Sequence, residues 1–115
     1  MELLADPDAL VAEGAAWALG EVGPPSRESI AALSKTATRH ADPLVRESAV
    51  AALGALGDPA GLPAVLAGCR DRPAVRRRAV IALAPFDGAE VEQALLDALD
   101  DPDWQVRQAA EDLLR

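Results

Sequence analysis

One hydrophobic pattern occurs four times along the chain, an apolar residue at every fourth position starting from a valine: Val11-Ala15-Leu19, Val45-Ala49-Leu53, Val75-Ala79-Leu83 and Val106-Ala110-Leu114. The valines stand 34, 30 and 31 residues apart. Positions i, i+4 and i+8 share one face of a helix, so the four segments read as four copies of one helix type. Each is preceded by Asp and Pro punctuation: Asp6-Pro7-Asp8, Asp42-Pro43, Asp71-Arg72-Pro73 and Asp101-Pro102-Asp103. A carboxylate that accepts from free N–H groups, next to a proline suited to the first helical turn, gives each start a physical cause.

Between these helices lie shorter amphipathic segments. Residues 26–41 open with Ser26 as an N-cap and carry Ile30, Leu33 and Ala37 at helical spacing. Residues 60–70 carry Leu62, Val65, Leu66 and Cys69, with Pro63 tolerated in the first turn; residues 89–100 carry Val91, Leu95, Leu96 and Leu99. The connectors Gly20 to Pro25, Gly57 to Pro59 and Pro85 to Gly88 are Gly/Pro-rich and short enough to keep consecutive helices antiparallel. No segment alternates with a period of two, so no strand is expected. The expectation is an all-α chain of seven helices forming antiparallel pairs in a single domain, with units at about 1–23, 24–57, 58–87 and 88–115. The first unit is half missing, since Met1 to Ala5 matches only the last turn of an outer helix. Its inner helix offers Ala15, Trp17, Ala18 and Leu19, less polar than the end of a stack requires. Two accounts fit: the chain is a piece of a longer array, or it self-associates through its N-terminal face.

The run Asp-Pro-x-Val-Arg-x-x-Ala-x-x-Ala-Leu-Gly, read from Asp42 to Gly54, resembles the inner helix of HEAT repeats, in particular the short bacterial kind also found in phycobilisome-lyase-like proteins. The resemblance covers nearly the whole chain. It implies an α-solenoid, a right-handed superhelix of antiparallel helix pairs whose inner helices line a concave surface. It also implies a hydrogen-bonded ladder between turn acids and inner-helix arginines, which here pairs Asp42 with Arg46 and Asp101 or Asp103 with Arg107, and includes Arg76. The chain departs from the pattern at Ala12, where an Arg belongs, and at Arg72, which replaces an acid.

Residues two and six beyond each valine share a stripe turned away from the Val-Ala-Leu face, and they vary between units: Glu13, Glu47, Arg77 and Gln108, then Trp17, Ala51, Ile81 and Asp112. These are the candidate partner-reading residues. Trp17 and Ile81 are apolar where exposure is expected; Trp17 is either an interface anchor or a space-filler beside a neighbouring helix. The cluster Arg70, Arg72, Arg76, Arg77 and Arg78 surrounds a helix start, where it either holds a phosphate or acidic peptide or pairs with acids of neighbouring units such as Glu47 and Asp101.

Charge and composition narrow the functions. At a formal charge of −8 the chain repels nucleic-acid backbones, which disfavours a role like that of HEAT-like DNA glycosylases. One cysteine, Cys69, cannot form an intrachain disulfide and reads as a small core residue; with no secretion signal and no long apolar span, a cytoplasmic location is expected. The acids Asp97, Asp100, Asp101 and Asp103 lack the turn and spacing of a calcium loop, and His40 is the sole histidine, so neither metal nor cofactor is expected. The reading is a non-catalytic scaffold or regulatory module for a protein or peptide. The alternative that the resemblance supplies is an enzyme accessory segment, phycobilin-lyase-like or queuosine-reductase-like.

Overall fold

A computed structural model describes residues 26–115. Six α-helices follow one another: α1 (Arg27–Arg39), α2 (Pro43–Leu56), α3 (Leu62–Gly68), α4 (Pro73–Ala82), α5 (Ala89–Ala98) and α6 (Trp104–Leu114). The expected seventh, inner helix of the first unit, lies outside the described residues, as do Glu13 and Trp17. No strand occurs among the described residues.

The helix starts have the chemistry expected of them. Ser26 caps α1 by accepting from the Ser29 N–H at 3.0 Å. Asp42 caps α2 through the Leu44 N–H at 2.8 Å with Pro43 in the first turn, and Asp103 caps α6 through Gln105 and Val106. Helix α2 stops at Gly57, whose φ of 64° is a left-handed conformation that a β-carbon would strain. The second outer helix is shorter than its apolar pattern suggested. Pro59–Gly61 forms a 3-10 turn, and the α-helix proper runs only from Leu62 to Gly68, with Pro63 in its first turn. Proline at position 63 has no N–H to give, so the regular ladder cannot extend back through it.

The helices form two layers. Helices α2, α4 and α6 pack side by side in that order, and the other layer is α1, α3 and α5. Within the first layer, contacts advance together along both helices: Glu47 meets Arg78, and Gly54 lies against Ala82. Helices α2 and α4 therefore run parallel, as two copies of one unit should. The repeating stripe is the core: Val45, Ala49, Leu53, Val75, Ala79, Leu83, Val106 and Ala110 are all buried. Leu114 completes the pattern in sequence but is 40% exposed, whereas Leu53 is buried against Gly61.

The second layer is uneven. Helix α3 packs on α1 and α4, and α5 packs on α6, but α3 and α5 scarcely touch. The core divides at the same place. Among the described residues, a larger cluster built on Leu33, Leu53 and Leu83 and a smaller one built on Val80, Ala98 and Val106 share the half-buried Cys69 and Leu95.

Candidate functional site

The turn acids and inner-helix arginines form a ladder, but with a different pairing from the one the resemblance implied. Arg46 donates from Nε and Nη2 to the two oxygens of Asp71 at 2.8 and 2.9 Å. Arg76 grips Asp101 in the same manner at 2.9 and 2.9 Å. Each rung joins one unit to the next. Asp42 and Asp103 belong to no rung, because their carboxylates are aimed at the N–H groups of the helices they cap. Helical side chains lean toward the N-terminus, so an arginine near the start of α2 overhangs the turn that opens its parallel neighbour α4, where Asp71 waits.

The third nitrogen of each guanidinium holds its own turn. Arg46 Nη1 donates to the carbonyls of His40 and Ala41, Arg76 Nη1 to that of Asp71, and Arg107 Nη1 to those of Asp101 and Pro102. His40 occupies the ladder-acid position of the first described turn: its Nδ1 accepts from the Asp42 N–H, as Asp101 Oδ1 accepts from the Asp103 N–H.

These bonds show in the acidities. The Arg46 bond holds the Asp71 carboxyl below the ordinary range against a smaller opposing effect of burial. Burial is the largest single influence on Asp101 and pushes it up, but the Arg76 bond, the Asp103 N–H and the nearby arginine charges together leave it lowered. Arg46 and Arg76 are raised by the same bonds. Cys69 is pushed up to about 11 by burial, so its thiol is a poor nucleophile at neutral pH.

The partner-reading stripe runs along the first layer. Glu47 is less open than expected, because Arg78 Nη2 reaches it at 3.3 Å and leaves it 21% exposed. Ala51 and Arg77 are half-buried, and Ile81 is 43% exposed. Gln108 and Asp112 are exposed and bonded to each other at 3.0 Å. A shallow depression of about 220 Å³ between α2 and α4 is lined by Ala51, Gly54, Ala55, Arg78, Ile81 and Pro85, among others. Of the basic cluster, Arg76 and Arg78 are committed to Asp101 and Glu47, whereas Arg70 and Arg72 point to solvent. Sequence reasoning passed over Trp104, 65% exposed at the start of α6 where α2 and α4 carry Pro43 and Pro73. An aromatic at a position where sister units place proline was the available signal.

Among the described residues no cluster of His, Cys, Asp and Glu side chains is arranged to hold a metal ion, and no helix is long and apolar enough to cross a membrane. Comparison with curated proteins gives no match. A family model described as HEAT repeats matches residues 1–84 and again residues 62–115. With the in-phase helices and the rungs between units, this match across the chain's length establishes that the chain belongs to the HEAT-repeat family.

Proposed function

We propose that the chain is a non-catalytic interaction module that binds a protein or peptide along the stripe shared by α2, α4 and α6, the concave side of a right-handed solenoid. The observation that carries this reading is Ile81, an isoleucine 43% exposed beside Arg77 and the depression at Ala51 and Gly54. Core positions repeat from unit to unit, while this stripe changes from Glu47 to Arg77 to Gln108 and from Ala51 to Ile81 to Asp112. A scaffold in which every unit shares a frame and differs only at such positions reads a partner unit by unit. HEAT repeats commonly mediate protein–protein contacts, and the carboxylates with displaced acidities are accounted for by the rungs, which hold the frame together.

The test is a photo-crosslinking amino acid in place of Ile81, compared with the same group in place of Glu92 on the opposite layer, in cells of the source organism. Adducts from position 81 that disappear with Arg77→Glu are expected. Adducts from position 92 alone would move the interaction surface to the other layer.

A further inference from the structure

Helices α3 and α5 scarcely touch, and the gap between them is a half-open cleft of about 590 Å³. Its floor is apolar: Leu66 and Cys69 from the α3 side, Ala94 and Ala98 from α5, and Val80 and Val106 from the layer beneath. The volume falls among those of pockets that take ligands, about 300–1,000 Å³. Val80 and Val106 at its base are each only 1% exposed and belong to the smaller core cluster, so the more open apolar surface is that of Leu66, Cys69 and Ala94.

The walls differ in charge. Glu90 and Asp97 line the α5 wall, and both residues are exposed. Asp97 Oδ1 accepts from Gln93 Nε2 at 2.8 Å, which holds the carboxylate in place and leaves its second oxygen open. Seven acids (Asp87, Glu90, Glu92, Asp97, Asp100, Asp101, Asp103) and no Lys or Arg lie between Arg78 and Arg107. Only Asp101 of these is in a rung. The α3 lip carries the single cation Arg70, which is exposed.

The geometry points to this cleft as a docking site for a basic peptide segment that inserts apolar side chains between α3 and α5 and lays Lys or Arg side chains along the α5 wall. Charge complementarity selects this occupant. Apolar side chains match the floor, cations match Glu90 and Asp97, and Arg70 opposite repels cations and so sets which flank of the segment faces α5. The site lies in the layer opposite the stripe of Ile81, and it stands independently of the function proposed above.

Random dodecapeptides displayed on phage and selected against the whole chain test the site, with hits synthesised and their affinities measured. Apolar cores flanked by Lys or Arg are expected. Their affinity should fall about tenfold or more with Glu90→Lys plus Asp97→Lys, or with Ala67→Trp, which roofs the cleft from an exposed position of α3. Arg70→Glu should strengthen binding severalfold, an outcome that loss of structure cannot mimic. Ile81→Asp should leave it unchanged, which separates this site from the inner stripe. Circular dichroism confirms that the variants fold. Enrichment of acidic or purely apolar peptides, no enrichment, or hits indifferent to the cleft substitutions would overturn the assignment.

Discussion

Arg46 and Asp71 lie 25 residues apart and meet in a two-pronged ion pair, and Arg76 and Asp101 repeat it at the same interval of 25. The interval is the length of one repeat less the distance from turn to helix, so a rung closes only when neighbouring units are in phase. Arg46 also bonds the carbonyls of its own turn. One guanidinium thus ties together the turn before α2 and the turn before α4, and the rung fixes stacking register as well as adding stability.

Asp71→Asn is expected to destabilise the chain by about 1–3 kcal/mol, measured by urea unfolding, since Arg46 and Asp71 are only 14% and 18% exposed and the charge left behind stays half-buried. Glu47→Gln, which breaks the looser pair to the 41% exposed Arg78, should cost less than about 1 kcal/mol. Equal losses for the two substitutions would show that the rungs carry no special weight.

Acid should weaken the fold through these carboxylates. Asp71 and Asp101 titrate below the ordinary aspartate value when folded, so the unfolded chain binds more protons than the folded one in that window. Their contribution is complete well above about pH 4, the unfolded value, and is lost as pH falls through the lower folded values. The urea midpoint is expected to be flat near neutrality and to drop in acid, with a shallower drop in Asp71→Asn. The same slope in that variant would assign acid sensitivity to other groups.

The sequence carried the frame because the frame is periodic. Val45, Ala49 and Leu53 recur in step and are buried in each described unit, so a stripe read along the chain is also a core in space. The pairing of Asp71 with Arg46 was not legible from local spacing, because Asp42 is nearer to Arg46 in sequence and has the same chemistry. What separates them is that Asp42 is turned onto the Leu44 N–H, a matter of where α2 begins. The cleft was hidden for a related reason. Leu62, Leu66 and Cys69 continue a helical pattern, but whether the helix carrying them meets α5 depends on how the two are spaced in three dimensions, and there an opening lies between them. Glu47 was legible in two ways, as part of the outward stripe and as a partner for the arginine cluster, and the pair with Arg78 follows the second.

At Gly54 the helices α2 and α4 lie close together. A β-carbon there would lie 2.6 Å from Ala82 Cβ and 2.8 Å from Ala82 Cα, and the second of these is backbone that cannot swing aside. Glycine to alanine inside a helix ordinarily stabilises by about 0.5–1 kcal/mol. Here Gly54→Ala should instead destabilise by about 1–3 kcal/mol by forcing the helices apart. Adding Ala82→Gly should recover part of the loss in urea unfolding. Failure of the second change to help would locate the damage elsewhere.

The outer side of α6 differs from its sister helices at one decisive position. Five residues beyond the opening valine, α2 has Val50 and α4 has Val80, 0% and 1% exposed, and Val50 packs toward the next unit beside Gly68. Helix α6 has Glu111 there, exposed, on a face that also carries Arg107, Gln108 and Arg115. A further unit packed on α6 as α4 packs on α2 would bury that carboxylate without an established partner, a placement costing several kcal/mol. Glu111 therefore discourages stacking on this face by other chains. Glu111→Val restores the sister-helix pattern beside the 40% exposed Leu114 and should produce concentration-dependent association in sedimentation velocity. Glu111→Gln, which removes the charge but keeps a polar group, should associate far less. If Glu111→Val sediments as the parent chain does at every concentration, Glu111 is not what keeps this face apart from other chains.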